Sequence, residues 1–350
     1  MKKTEVFRAW GRILSGRRPS LSIELTRECP LRCPGCYAYG DDHLGEGAPN
    51  LRTLSDFKGE ELVARVLRVV KEHKPLHLSI VGGDPLVRYR ELEVLLPELS
   101  RRGVQVQIVT SAFRTIPTEW GKIPGLCIVI SVDGLAPEHD LRRRPATYER
   151  ILKSIEGHQN MISVHCTITA QMLVRAGYLD DFVDFWSARP EIKRIWFSVY
   201  TPQRGEVAPE IVSREQRVEI VHRLLAVAQR DTKLDMHPTA IRALASPPSS
   251  PRECTFARTT TTLSADLRTR VTPCQFGGDP DCSQCGCMAS AGLHALAEHR
   301  LMSMLRVGDL FDLSFKLGNT ICGHKEIPQV SRAVRKSKEL VTLPPSSGAR

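Results

Sequence analysis

Six short runs rich in β-branched and other apolar residues, separated by helix-length spacers, limit what this 350-residue chain can fold into. They lie at residues 21–25, 76–81, 104–110, 126–132, 163–169 and 194–200. Their cores (SIEL, HLSIV, VQIVT, CIVISV, VHCTI, IWFSV) are read as apolar on both alternating faces, as in strands covered on both sides. Between them, 60–72, 90–101, 147–158 and 179–187 carry the 3.6-residue period of amphipathic helices. Strands joined by helical crossovers imply a parallel α/β sheet, either open and doubly wound or closed toward a barrel. No Gly-x-Gly-x-x-Gly follows the first strand, which disfavours a dinucleotide fold.

The pattern changes near residue 200. A further helix is expected over 213–230, a turn or linker at 247–251, a cysteine-dense stretch from Cys254 to Cys287, and a helix over 291–299. The tail from about residue 341 is expected to be disordered. The start is basic without a gathered apolar core, so no secretory signal is expected. The longest apolar run, 126–132, is too short to span a membrane. A cytoplasmic protein is therefore expected, with its 11 cysteines reduced and suited to metal ligation. The net charge of +10 fits either a solvated basic surface or an anionic partner. No nucleic-acid motif accompanies it, and nucleic acid is not expected as a partner. At residues 4–16 a helix places Phe7, Trp10, Ile13 and Leu14 on one face, with Arg8, Arg12 and Arg17 off it. That helix could touch the inner face of a membrane, or cap the bottom of the sheet with its apolar face buried.

The chemistry starts where the first strand ends. Cys29, Cys33 and Cys36 have C-x3-C-x2-C spacing. Three thiolates on one loop suit an iron–sulfur cubane and leave one iron open. Zinc would more naturally show paired C-x2-C units. Tyr37 follows the third cysteine, and Gly82, Gly83, Asp84 and Pro85 end the second strand. Together these features resemble the radical S-adenosylmethionine (radical SAM) superfamily over about residues 20–205. The second motif looks like that family's Gly-Gly-Glu-Pro, with Asp84 one methylene shorter than the usual glutamate. The resemblance implies a partial (β/α)6 TIM-type barrel and a [4Fe–4S] cluster on Cys29, Cys33 and Cys36. It also implies an open iron that chelates S-adenosylmethionine. An electron passed to the sulfonium yields methionine and a 5′-deoxyadenosyl radical, which takes a hydrogen atom from substrate. The same resemblance makes Tyr37, Gly82, Gly83, Asp84, Ser131, Asp133 and Arg143 candidates for holding the cofactor. The last three belong to Ser131-Val132-Asp133-Gly134 and the basic stretch after His139, where Arg142, Arg143 or Arg144 would meet the cofactor's carboxylate. Thr110, Thr167 and Tyr200 sit at other strand ends and are candidate pocket residues.

Cys254, Cys274, Cys282, Cys285 and Cys287 form a second constellation, with 262–274 read as a hairpin that delivers cysteines to one site. It resembles the SPASM or twitch extension and implies an auxiliary [4Fe–4S] cluster. Cys254, Cys274 and Cys282 come first as ligands, then Cys285 or Cys287, with zinc as the alternative metal. Cys127 and Cys166 are read as inert core thiols, and Cys322, near His324, as a spare one. The expected layout is an N-terminal helix (1–19), a barrel (20–205), a helical linker (206–253), an auxiliary region (254–299), and a C-terminal helix with a flexible tail (300–350). The expected function is hydrogen abstraction from a small-molecule or lipid-derived substrate, with flavodoxin or ferredoxin as the type of electron donor. Peptide modification is the first alternative; an electron carrier without S-adenosylmethionine, or a zinc protein, is the second.

Overall fold

The computed structural model describes residues 3–322 apart from 46, 49, 146 and 302–304. The expected disorder after residue 341, and His324, lie outside the described residues, as does the side chain of Cys322. Seven parallel strands form one sheet: β1 Ser20–Glu24, β2 His77–Val81, β3 Gln105–Thr110, β4 Leu126–Ser131, β5 Ile162–Ile168, β6 Ile192–Val199 and β7 Thr260–Leu263. Their order is β6-β5-β4-β3-β2-β1-β7, so β6 and β7 are edges and the sheet is open. This is the partial TIM-type arrangement, with one strand more than the six expected. The Thr-Thr-Thr-Leu run of β7 lies in the expected auxiliary region yet pairs in parallel with β1, Ser20 opposite Thr260. The expected hairpin turn forms after it, where the Val271 N–H donates to the Thr262 carbonyl at 3.0 Å. Its first arm is also a strand of the main sheet, because the free edge of β1 satisfies the backbone groups of three β-branched threonines.

Register separates the two faces. One row runs Leu263, Ile23, Ile80, Ile108, Ile128, Ile162 and Ile192 across all seven strands. Every member is buried. The opposite face is not the apolar one expected. Ser22, Ser79, Gln107 and Cys127 share a row there, and Ser131, His165 and Trp196 share another. Only the face under the helices must exclude water; the inner face of an open barrel is free to be polar.

The helices are α1 Lys3–Leu14, α2 Gly59–His73, α3 Tyr89–Arg101, α4 Ala136–Arg142, α5 Tyr148–Ser154, α6 Tyr178–Ser187, α7 Arg214–Arg230, α8 Pro238–Ala243, α9 Thr255–Thr259, α10 Met288–Glu298 and α11 Val307–Cys322. Helix α1 does not cap the sheet; it packs on α11. Ile13 is buried with Val307 and Phe311, and the Trp10 indole N–H donates to the Ser314 hydroxyl. The crossing is close, since a Cβ on Gly318 would lie 2.5 Å from the Ile13 carbonyl oxygen. Phe7 is left exposed. Among the described residues no helix is long and apolar enough to cross a membrane.

Candidate active site

Cys29, Cys33 and Cys36 lie on the loop that leaves the C-terminal end of β1, and all three are partly buried. Gly35 holds the loop against β6: its φ is +61°, and a Cβ there would come 2.6 Å from the Tyr200 hydroxyl. Burial pushes the thiols up, Cys29 to about 12, while the positive charge of Arg143 opposes the rise at Cys33 and Cys36. Thiols so placed ionise when a metal takes them.

Gly82 and Gly83 are needed for a reason other than ligand approach. Both have positive φ, and Cβ atoms there would lie 2.1 Å from the Glu24 side chain and 2.2 Å from the Glu28 carbonyl. They let the end of β2 press onto the cysteine loop. Asp84 is likewise turned inward. Its carboxylate accepts from the Thr110 hydroxyl (2.7 Å), the Leu86 N–H (3.0 Å), and the Ser111 N–H (2.8 Å) and hydroxyl (2.5 Å). All its near donors are protein groups, so it ties β2 to β3; Thr110, a candidate pocket residue, is one of the ties.

Ser131 is buried at the end of β4. Two residues on, the Asp133 carboxylate accepts from Arg143 Nε (2.7 Å), Arg142 Nε (3.0 Å) and the Thr167 N–H (3.3 Å). Burial raises the Asp133 carboxyl, but the two guanidiniums outweigh it and hold the group far below the usual carboxylate range. Helix α4, absent from the expected elements, delivers both arginines by placing them at and just beyond its C-terminus. Arg144 is turned back on Asp140 instead. The basic run is thus a buried charge pair beside the cysteine loop.

All five later cysteines line one cavity, together with Thr201, Phe256, Phe276 and Ser290. The hairpin turn brings Cys274, α9 starts behind Cys254, and α10 starts behind Cys287. The tight Cys282-to-Cys287 turn depends on Gly286, where a Cβ would lie 2.0 Å from the Val199 carbonyl. The Val199 N–H donates to the Gly286 carbonyl at 3.0 Å and the Gly286 N–H to the Thr201 hydroxyl at 2.9 Å. Arg217 on α7 is buried and donates to the Gln284 and Cys285 carbonyls. The residue spacing does not flag Gly286 or Arg217; the only signal for Gly286 is its place between two cysteines. Five thiols on one cavity suit a thiolate-held cluster. Among the described residues, no three Cys, His, Asp or Glu side chains form a group that could hold a metal ion as they stand. Cys127 and Cys166 are on strands, away from both sets.

Tyr37 stands between the two cysteine sets rather than over a cofactor face. Its ring meets Phe276 edge-on at 5.3 Å and His43 at 5.8 Å. His43 in turn bonds Glu24 on β1 (2.7 Å) and the Phe276 carbonyl (3.0 Å), and the Ser264 hydroxyl completes the Glu24 carboxylate (2.5 Å). Burial alone would lower His43; the Glu24 carboxylate reverses this and holds it above its ordinary value. The two cysteine regions are therefore clasped through β1.

Residues 23–183 match the family model described as Radical SAM superfamily. The chain belongs to this superfamily. Radical SAM membership implies a [4Fe–4S] cluster and S-adenosylmethionine. Among solved structures, Streptococcus suis SuiB aligns with a TM-score of 0.52 at 17% identity, over 92% of this chain and 72% of that one. SuiB bound to precursor peptide SuiA gives 0.51 at 16% identity, over 92% and 70%. The radical SAM protein anSMEcpe with bound AdoMet gives 0.52 at 14% identity, over 85% and 80%. The match to SuiB bound to S-adenosylmethionine spans 60% of that chain. At these identities the likeness is one of fold. No curated protein matches the sequence.

Proposed function

We propose that this chain is a radical SAM enzyme that holds a [4Fe–4S] cluster on Cys29, Cys33 and Cys36 and cleaves S-adenosylmethionine reductively. The observation that carries this reading is the three-thiol loop at the C-terminal end of β1, within the matched domain. Bound there, the cluster and the sulfonium supply methionine and a 5′-deoxyadenosyl radical for one electron, and the radical takes a hydrogen atom from substrate. The chain's own part is placement. Gly82 and Gly83 seat the cysteine loop, Asp84 fixes the β2 and β3 ends beneath it, and Asp133 holds Arg143 beside Cys33 and Cys36. There Arg143 provides positive charge for the cofactor's carboxylate. Ser131 and Thr167, at neighbouring strand ends, face the same mouth. A second cluster on four of Cys254, Cys274, Cys282, Cys285 and Cys287 fits the cavity they share.

The substrate we carry forward is a small or lipid-derived molecule admitted to the polar inner face of the sheet, where Ser131 and His165 share a row. A peptide is the second reading, favoured by SuiB and anSMEcpe having been solved with peptides bound. A negatively charged one-electron carrier of flavodoxin or ferredoxin type suits the net charge of +10 as electron donor. Peripheral contact of α1 with an anionic membrane belongs to the lipid reading and is tested with it. The test is to reconstitute the protein anaerobically, reduce it with dithionite and supply S-adenosylmethionine. 5′-Deoxyadenosine should accumulate, and Cys33→Ala should abolish it. An iron-loaded protein that makes none is an electron carrier, and a colourless zinc-loaded one from anaerobic expression is a zinc protein.

A further inference from the structure

Arg217 is 4% exposed, yet its contacts include no carboxylate. Its Nη1 donates to the Leu244 carbonyl (3.1 Å) and the Cys285 carbonyl (3.4 Å). Its Nη2 donates to the Tyr200 carbonyl (3.1 Å) and the Gln284 carbonyl. Its Nε is buried with no partner at all. The nearest acid to exert a field on it is Asp281, whose carboxylate is already taken by Ser283 and Gln284 at the surface. A buried guanidinium held by carbonyl dipoles alone is costly, because dipoles only partly replace its hydration. Chains tolerate such a charge where an anion stands close by.

Two of the four carbonyls belong to Gln284 and Cys285, inside the turn that carries three cysteines of the cavity. A third belongs to Tyr200, next to Thr201 of the cavity wall. The guanidinium therefore backs directly onto the five-cysteine cavity. A cluster bound through thiolates is a net anion, and it becomes one unit more negative on reduction.

We propose that Arg217 is the fixed counter-charge of an auxiliary cluster in this cavity, holding the Cys282-to-Cys287 turn and raising that cluster's reduction potential. The proposal rests on reading the cavity as an iron–sulfur site. The step it bears on is the gain of one electron from an external reductant, with no bond or proton moved. A positive charge nearby favours the reduced form, so its removal must lower the potential. Arg217 touches neither substrate nor iron and is a positioning and tuning residue.

The test uses the full chain carrying Cys29→Ala, Cys33→Ala and Cys36→Ala, so that only the auxiliary site is loaded. Its potential is read by EPR-monitored redox titration. Arg217→Gln should shift the reduced-to-oxidised ratio at least tenfold toward oxidised, equivalent to about 59 mV for one electron. Arg217→Lys, which keeps the charge, should stay within about threefold of the parent. An unshifted Arg217→Gln overturns the proposal, as does an Arg217→Lys that shifts as far. Should Arg217→Gln fail to retain iron, Arg217→Lys decides. Iron kept by lysine and lost by glutamine, with unchanged circular dichroism, supports a counter-charge; loss from both shows that only the hydrogen-bond geometry matters. If the parent holds no iron–sulfur cluster there, the underlying reading fails instead, and the two failures are distinct.

Discussion

Replacing Asp84 with asparagine separates two roles for the acid at the end of β2. The carboxylate is 2% exposed and accepts four hydrogen bonds, two at each oxygen. An asparagine must place its amide nitrogen at one of those oxygens. If it replaces Oδ1, the Thr110 hydroxyl can rotate and accept, but the Leu86 N–H faces a donor. If it replaces Oδ2, the Ser111 hydroxyl can adapt and the Ser111 N–H cannot. Either way one buried backbone N–H loses its acceptor and the remaining bonds lose their ionic character. A buried unsatisfied donor costs roughly 1–3 kcal/mol, and weaker remaining bonds bring the loss to about 2–4 kcal/mol. For a large domain this lowers Tm by about 4–12 °C. The assay is a thermal melt of anaerobic protein without S-adenosylmethionine, beside a cofactor-binding isotherm. The reasoning is refuted if Tm moves by less than about 1 °C while cofactor affinity falls about tenfold, because the carboxylate would then be free for the cofactor's ammonium. Asp84→Glu adds a methylene in the same tight site and should destabilise by about 1–3 kcal/mol.

Other outcomes follow from the same geometry. Asp133→Asn uncouples two largely buried arginines and should cost about 3–5 kcal/mol at neutral pH. The carboxyl is held low in the folded state, so its contribution is present above the unfolded value of about 3.9 and lost as pH falls below it. Urea melts of the parent and variant should accordingly converge on acidification; a constant gap down to the acid limit contradicts the pairing. Gly286→Ala drives a Cβ into the Val199 carbonyl and should halve the iron content while leaving S-adenosylmethionine cleavage measurable. Unchanged iron would show that the turn does not hold a cluster.

The sequence is most legible where burial is continuous. The row of isoleucines on one side of each strand makes β1 to β6 stand out within a residue or two, since that face must be apolar whatever the function. Strand β7 is not legible in this way: three threonines read equally well as a hairpin arm, and only the open edge of β1 selects the sheet. Helix α4 is short, starts at a proline, and reads as a polar basic run until Asp133 gives its arginines a partner. Spacing identifies both cysteine sets but not what surrounds them. The glycines of the second motif suggest room for a ligand, whereas the room is taken by Glu24 and the Glu28 backbone. Tyr37 is adjacent in sequence to the first set and in space to the second, through Phe276 and His43. Arg217 has the appearance of any solvated residue on an amphipathic helix, because its carbonyl partners come from segments distant in the chain.

The central claim is that Cys29, Cys33 and Cys36 hold a cluster whose open iron takes S-adenosylmethionine. The most direct measurement is the EPR spectrum of the dithionite-reduced, reconstituted chain before and after the cofactor is added. To silence the auxiliary site, it is recorded in the Cys254→Ala, Cys274→Ala background. The account predicts that the remaining cluster signal shifts its g-values on addition of S-adenosylmethionine and is absent when Cys33→Ala is also introduced. A cluster signal that S-adenosylmethionine leaves unchanged, or one that survives Cys33→Ala, would contradict it.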